Sequence, residues 1–375
     1  MLVPKDYDVF QALENDYDVE VSCVAYLDNV RVPVPLTVTG GNVTMTAGTG
    51  TRAVLDVTFA PAPGLRDALA PSGLLLRPEW IIRWGATGVE RVTWGEFLVD
   101  EEGISYDASS GGVRVTAPDT WAKVPWIRLP PQVAEGDPYE VAARWVREAH
   151  RSLTGEVLPY ARRSLRPKLY GGDNTDGTRT DAVRELLNVV GAQAFIDRRR
   201  RLIIEPRPQP GTAAPRWTSS PWSTLLGADE TRSGRDVINS YTVHPDRPGL
   251  FPPFDVQDTD PASPTRITGP MGVRGAQKPL IFPGASRDLA LLGAEAELAK
   301  TTATAFTTSF SAAPNPFLDP DDGGHLTFPE QGGDEGDSIR ALIDKVVHPL
   351  IPDEGVRMTV DVRSNQPPTR RGVPQ

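Results

Sequence analysis

The sequence predicts a β-rich α+β protein in which two β-barrel or sandwich domains flank a small α+β domain. Three observations predict it. First, 37 Pro and 34 Gly break the 375 residues into many short segments, as in a β-rich chain with long loops. Second, strand-like runs gather at both ends of the chain. The cleanest runs from Val356 to Arg363, where Val356, Met358, Val360 and Val362 alternate with Arg357, Thr359, Asp361 and Arg363, the period of a half-buried strand. Third, helical spacing is concentrated in the middle of the chain and in one later segment.

Residues 1–16 read as a polar arm. The first β domain, 17–118, is built from Val19–Tyr26, Val30–Val38, Asn42–Met45 and Ala53–Phe59, followed by Glu79–Trp84 and Glu90–Val99, which are rich in aromatic and β-branched residues. Ile104–Tyr106 and Val113–Thr116 pair across the turn at Ser109–Gly112. Pro125, Pro130 and Pro131 then mark an irregular connection. In the small α+β domain, 119–208, Asp137-Pro-Tyr-Glu140 starts a helix with a capping carboxylate and a proline in the first turn. A second helix starts near Thr180, with Val183, Leu186, Leu187 and Val190 on one face and Gly191 at its end. A hairpin follows, Ala192–Ile196 against Leu202–Glu205. Residues 209–363 form the second β domain, with a Pro/Ser/Trp-rich linker at 209–235, a strand at Val237–His244, a loop-rich stretch at 246–285 and a helix at 286–301. That helix carries the apolar stripe Leu289, Leu292, Ala296 and Ala299. Strands at Ala303–Ser311, Ser338–Val347 and Val356–Arg363 close the domain, and 364–375 is a polar tail.

Composition excludes several function classes. Asp plus Glu (49) exceeds Lys plus Arg (39), for a net charge of -10. A duplex-DNA binder needs a basic face to displace counterions. An acidic surface is instead one that nucleic acid slides past. The single cysteine, Cys23, allows neither an internal disulfide nor a multi-thiolate metal site. The N-terminus lacks the basic-then-apolar run of a signal peptide, and no stretch reaches the roughly 20 apolar residues of a membrane span. The expectation is a soluble protein made in a cytoplasm.

No motif carries catalysis. Gly48-Thr-Gly-Thr-Arg-Ala53 matches a dinucleotide fingerprint in letters, but a strand follows it where that motif needs a helix, so it reads as a hairpin loop. Asn174-Thr-Asp-Gly-Thr-Arg179 with Glu185 departs from a calcium loop in its glycine and its first ligand, and reads as a turn. Asp319, Asp321 and Asp322 read as a solvated acidic loop, with cation binding at a subunit contact as the alternative. His150, His244, His325 and His348 are scattered without zinc spacing. No serine nucleophile elbow occurs, and Cys23 sits inside an alternating strand, as a core residue does. Arg198-Arg-Arg-Arg201 reads as a solvated hairpin tip or a contact to a neighbouring acidic subunit, and Arg162, Arg163, Arg166 and Lys168 carry the same two readings. Trp80, Trp84 and Trp94 fall in strands. Trp121, Trp126, Trp217 and Trp222 lie by Pro-rich connections, where they pack domain joints or stack on sugars. Catalytic, cofactor and metal sites are therefore all expected to be absent.

The order of these pieces resembles bacteriophage tail hub (baseplate hub, minor tail) proteins, of the kind found in phages of actinobacteria. Trp94-Gly-Glu-Phe-Leu-Val99 with Gly112-Val-Arg-Val-Thr-Ala-Pro-Asp119 resembles their first domain. Asp181–Asp197 with Leu202-Ile-Ile-Glu-Pro206 resembles the middle one. Asn239-Ser-Tyr-Thr-Val243 and Ala313-Pro-Asn-Pro-Phe-Leu-Asp-Pro-Asp-Asp322 resemble the second β domain. The likeness spans most of residues 18–363. It implies two tube-like domains, a homotrimer presenting six of them as a ring, and a non-enzymatic role in the virion at the tail tip. There it would adapt a six-fold tail tube to a three-fold tip. The implied partners are tail tube or distal tail, tip, spike or fibre and tape-measure proteins, with genomic DNA only in passage. A receptor- or carbohydrate-binding tail module and the hub of a contractile injection system are the alternatives. Arg198–Arg201 departs from the pattern, since a Gly-containing turn is expected there. On this reading the acidic loop Asp319–Asp337 faces a subunit or lumen boundary.

Overall fold

The structure is a computed structural model and describes residues 17–106, 111–159, 161–171, 177–210, 215–219, 225–232, 237–303, 306–329, 335–352 and 357–364. The first portion contains β1 (Asp18–Leu27), β2 (Val30–Arg31), β3 (Val38–Thr46), β4 (Ala53–Phe59), α1 (Leu65–Leu69), β5 (Leu75–Trp84), β6 (Gly88–Thr93), β7 (Phe97–Leu98), β8 (Ile104–Tyr106) and β9 (Val113–Pro118). The middle contains β10 (Gln132–Gly136), α2 (Pro138–Ala149), β11 (Gly155–Val157), β12 (Leu165–Tyr170), α3 (Arg179–Asn188), β13 (Ala192–Ile196) and β14 (Arg201–Pro206). The last portion contains β15 (Pro215–Ser219), β16 (Leu225–Arg232), β17 (Ser240–His244), β18 (Phe254–Gln257), β19 (Leu280–Ile281), α4 (Arg287–Thr302), β20 (Phe306–Ala312), β21 (Gly323–Pro329), β22 (Glu335–Pro349) and β23 (Met358–Ser364).

The two β portions share one sheet. Its main path runs β16-β20-β23-β22-β3-β4-β9-β8, four strands from each portion, with β15 and β21 branching from β22. The seam is β22 against β3, antiparallel, from Lys345↔Thr46 to Pro349↔Asn42. Inward side chains on both sides of it, Val43, Met45, Val346 and His348, are buried. Apolar alternation explains this register, since a one-residue slip would turn that whole set outward. A second sheet, β2-β1-β5-β6 with β7 on β5, covers the same core. That core draws on both portions. Trp80 and Trp94 pack edge to face at 5.2 Å, and the Trp80 indole donates to the Leu350 carbonyl at 2.7 Å.

A second core belongs to the middle portion. Asp137 caps α2 by accepting from the Tyr139 amide at 2.9 Å, with Pro138 in the first turn. The second helix begins one residue earlier than the apolar spacing places it. Thr178 and Asp181 form a reciprocal capping box, which satisfies two amides that the first turn leaves unpaired. The expected hairpin is present as β13 and β14, Ala192↔Pro206 through Ile196↔Leu202.

One placement is corrected. The helix expected in the second β domain, α4, buries Leu289, Ala290, Gly293 and Ala294 in the middle core, alongside Val243, Phe251, Val256 and Phe282. Leu292, Ala296 and Ala299 of the expected stripe are only half-buried. Gly191 shows how close this packing is. Its φ is +62°, and a Cβ there would stand 2.7 Å from that of Ala296. Residues 246–285, expected to be loop, contribute β18 and β19 to a three-stranded sheet with β17. The buried Asn239 ties this segment together, donating to the carbonyls of Thr265 and Gly272.

Candidate functional site

The middle portion meets the shared sheet at the tip of the β13–β14 hairpin. This tip holds the arginine run, and Arg198 and Arg200 are turned into the chain rather than into solvent. Arg198 is buried. It donates to the carbonyls of Pro316 and Leu318 at 2.7 and 2.9 Å, pairs with Asp319 at 2.7 Å and lies 4.9 Å over the Trp94 ring. Arg200 pairs with the buried Glu96 at 3.2 Å, which Arg77 also contacts. Arg201 turns back to Asp197 at 2.7 Å. Arg199 alone of the four is exposed. The tip thus plugs into both β portions through charged groups whose partners are already in place. Such pairs specify a geometry, and losing one partner is costly.

The acidic cluster is the other half of this junction, and its expected solvent exposure is corrected as well. Asp321 and Asp322 are buried. Asp321 pairs with Arg363 at 3.2 Å and Arg52 at 3.5 Å and accepts from Gln193 at 2.8 Å. Asp322 pairs with Arg216 at 2.9 Å and accepts from the Asp319 amide at 3.0 Å. Arg52 also donates to the Pro320 carbonyl and stacks 3.7 Å over Phe195. These carboxylates are spent on arginines of this chain. Among the described residues no cluster of three or more candidate ligands is placed to hold a metal ion. Asp319, Asp321 and Asp322 of the acidic loop are paired with arginines of this chain, and its residues 330–334 lie outside the described residues.

Two residues at the junction adopt the left-handed backbone normally left to glycine: Arg200 at φ +62° and Asp321 at φ +67°. A non-glycine residue there costs on the order of 1–2 kcal/mol and persists where its surroundings over-determine it. Arg200 therefore occupies the backbone position for which a glycine was expected. Its side chain explains the substitution, because Glu96 would otherwise be left with Arg77 alone.

Burial sets the protonation of this region. His348 lies 4.6 Å from the Trp94 ring and 3.2 Å from the Leu318 carbonyl. Burial first, and Arg198 second, lower its pKa to about 3, so the imidazole is neutral. Burial pushes Asp119 up to about 6, against the opposing pull of the Ala53, Arg52 and Trp121 amides that it binds and of the Arg52 charge. Burial raises the Asp322 carboxyl above its ordinary value, with Asp319 adding to it. Burial and then Glu79 push the Cys23 thiol up to about 12, which makes it inert as a nucleophile near neutral pH. His150 falls to about 4, again mainly through burial.

The structure places the remaining candidates as follows. Gly48–Ala53 is the loop and strand start between β3 and β4. It bonds to the middle portion through the Gly50 amide on the Ala194 carbonyl at 3.1 Å. Asn174–Asp176 lies outside the described residues, as does Trp222. Arg162 pairs with Glu140 at 2.5 Å on the surface, Lys168 pairs with Glu185, and Arg163 and Arg166 are exposed. Trp217 is buried, donating to the Asp322 carbonyl at 3.1 Å, and Trp121 is buried against Thr180 at 3.1 Å. Neither offers a face for a sugar. Trp126 is 62% exposed. The residues that sequence reasoning missed are Arg52, Arg216, Arg363 and Glu96. They are single charges in unremarkable strands or turns, and nothing in their neighbourhood marks them.

Around this junction lies a cleft of about 710 Å³, bounded by Trp94–Phe97, Phe195–Arg201, Glu205–Pro208, Arg216 and Asp319–Gly323. Its walls come from all three portions.

Comparison with known structures identifies the fold. The chain is similar to the tail protein from Neisseria meningitidis MC58, with a TM-score of 0.63 and 11% identity over 92% of this chain and 96% of the other. It is similar to the 43 kDa tail protein of prophage MuSo2 from Shewanella oneidensis, with a TM-score of 0.59 and 14% identity over 92% and 98%. It is also similar to an E. coli protein described as a component of the type VI secretion system with structural similarity to the T4 bacteriophage tail proteins gp27 and gp5, with a TM-score of 0.52 and 10% identity over 93% and 79%. No protein-family model matches the sequence, and neither does any curated protein. The class defined is that of phage-tail and baseplate-type folds.

Proposed function

We propose that this chain is a structural component of a phage-type tail, a hub at the tail tip that adapts a six-fold tube to a three-fold tip and forms part of the DNA passage. The observation that carries this reading is the likeness to tail proteins over nearly the full length of both chains. The shared sheet supports it. Each β portion gives four in-line strands, and the two meet edge to edge at β3 and β22. On this reading each β portion is one tube-like unit, and the β3–β22 pairing is the operation that a ring of six units from three copies would repeat. The outer strands of the path, β8 and β16, end the sheet and are the edges at which such a repeat would act. The chain acts by geometry and carries no catalytic function. Its partners are further copies of itself, the tail tube or distal tail protein, tip, spike or fibre proteins and the tape-measure protein.

Electron microscopy of the purified chain and of particles containing it tests this reading. Ring-shaped trimers, or density at the tail tip, are expected. A strictly monomeric chain that is missing from purified particles would overturn it. The carbohydrate-binding alternative loses its motivation at Trp217, which is buried.

A further inference from the structure

The three-stranded sheet β18-β17-β19 ends in an open edge. Among the described residues β19 pairs only with β17, and the chain leading into it runs beside β17 as well. Gly275 bridges to Ser240, and Leu280 and Ile281 lie opposite Val243 and His244. From Ser240 to His244 this edge is about 13 Å long, at about 3.3 Å per residue. The buried Asn239 holds its start in place. Besides donating to the Gly272 carbonyl, its side chain accepts from the Arg274 amide at 2.6 Å, and its own amide donates to the Arg274 carbonyl at 3.1 Å. Arg274 therefore turns its backbone groups toward β17. Val273 and Gly275, on either side of it, turn theirs outward, and neither has a hydrogen-bond partner among the described residues.

This edge is basic and partly apolar. Between Asp260 and Asp288 the chain carries Arg266, Arg274, Lys278 and Arg287 and no carboxylate, in a protein of net charge -10. Arg274 and Lys278 are exposed, and Lys278 makes no ion pair among the described residues. Val273 is 64% exposed and Ile281 52%. Asp255 is the one carboxylate in the strands of this sheet. It lies on β18, across β17 from the edge, and accepts from Thr242 at 2.7 Å. An exposed strand edge is what an added strand pairs with, and fixing its backbone beforehand lowers the cost of binding. The cations select a strand that carries carboxylates. Nucleic acid fits less well, because residues 273–281 include no aromatic ring to stack a base.

We propose that residues 273–281 form a docking edge for an extended acidic segment of another protein, which adds as a strand outside β19. Its backbone would pair with Val273 and Gly275. Its carboxylates would face Lys278 and Arg274, and its apolar side chains would cover Val273 and Ile281. The edge belongs to the sheet packed on the middle core, apart from the sheet that the two β portions share, so the proposal does not rest on the tail reading.

The test uses the full chain and two synthetic peptides of equal length, one alternating valine with glutamate and the other valine with lysine. The glutamate peptide is expected to bind about tenfold or more tightly than the lysine peptide. It is also expected to slow amide exchange at Val273 and Gly275 by about tenfold or more, whereas the Arg274 amide is protected from the outset. Lys278→Glu combined with Arg274→Glu is expected to weaken binding of the glutamate peptide by about tenfold or more, with an unchanged unfolding midpoint showing that the variant is folded. Equal binding of the two peptides, binding that leaves the Val273 and Gly275 amides unprotected, or no binding at about 1 mM peptide would overturn the proposal. So would tighter binding of a single-stranded oligonucleotide, which would make the edge a nucleic-acid site. Protection of the same amides without peptide, growing with protein concentration, would also overturn it, since the occupant would then be a second copy of this chain.

Discussion

Two arginine clusters look alike in the sequence and behave differently in the structure. Arg198–Arg201 and Arg162–Lys168 are both short basic runs, and either could be a solvated face. The second is one: Arg162 pairs with Glu140 while 63% exposed, and Arg163 and Arg166 are open to solvent. The first is a plug. Arg198 is 7% exposed with its charge on Asp319, and Arg200 reaches Glu96 from a left-handed turn. The difference lies in what faces each run. A hairpin tip can enter a junction between sheets, where low dielectric makes a pair strong and its loss severe. A run on an outer surface stays in water, where pairing is weak and screened.

Four measurements sharpen that contrast. The largest effect is expected from Arg198→Ala, which leaves Asp319 without its Arg198 partner and takes the Arg198 donor from the Pro316 and Leu318 carbonyls. Breaking a buried pair of this kind costs about 3–5 kcal/mol, read by denaturant unfolding. A loss below about 1 kcal/mol would mean that water reaches the tip.

Next is acid. His348 is held neutral with a folded pKa of about 3, below its ordinary value of 6.5 when unfolded. Between those values the unfolded chain binds the extra proton, so stability is full above pH 6.5 and falls as pH drops toward 3. At about 1.4 kcal/mol per pH unit the loss from this group is about 2 kcal/mol by pH 5. His348→Gln is expected to flatten that acid limb, and an unchanged limb would show that the imidazole is not held neutral in the fold.

Arg200 separates backbone from side chain. Arg200→Gly relieves the left-handed turn but removes a contact to Glu96, so a net change within about 1 kcal/mol is expected. Arg200→Val keeps the strain, adds β-branching and loses the contact, for about 1–3 kcal/mol of destabilisation. Equal effects of the two would rule out backbone strain at this position. The smallest effect belongs to the surface cluster. Arg162→Ala should change stability by less than about 0.5 kcal/mol, and a larger loss would place that cluster at an interface.

Much of the fold is legible because local patterns report local geometry. The α2 cap at Asp137 and Pro138, the β13–β14 hairpin and the alternation of β23 are each written within a dozen residues. The Gly48–Ala53 loop was readable as a turn because a strand follows it. The junction was not legible. Asp319–Asp322 has the composition of a solvated loop, and only partners far along the chain, such as Arg52 and Arg198, turn it into a buried network. Helix α4 is a clear helix in the sequence, but its buried face could not be assigned to the middle core, because small residues such as Ala290, Gly293 and Ala294 pack wherever a neighbour comes close.

The sequence by itself determined many of the strands and helices and offers no catalytic motif, but it missed β15 and β16 inside the expected linker at 209–235 and β18 and β19 inside the expected loop at 246–285. Periodicity, caps and turn residues act over a few residues, and a single cysteine with scattered histidines leaves few chemistries open. Only the tertiary structure decided that the two β portions share one sheet through β3 and β22 and that α4 belongs to the middle core. It alone decided that seven charged side chains, Arg52, Arg198, Arg216, Arg363, Asp319, Asp321 and Asp322, meet at one junction. These are pairings between residues up to 269 positions apart (Arg52 and Asp321). Their free energy depends on burial and distance, which no local pattern encodes.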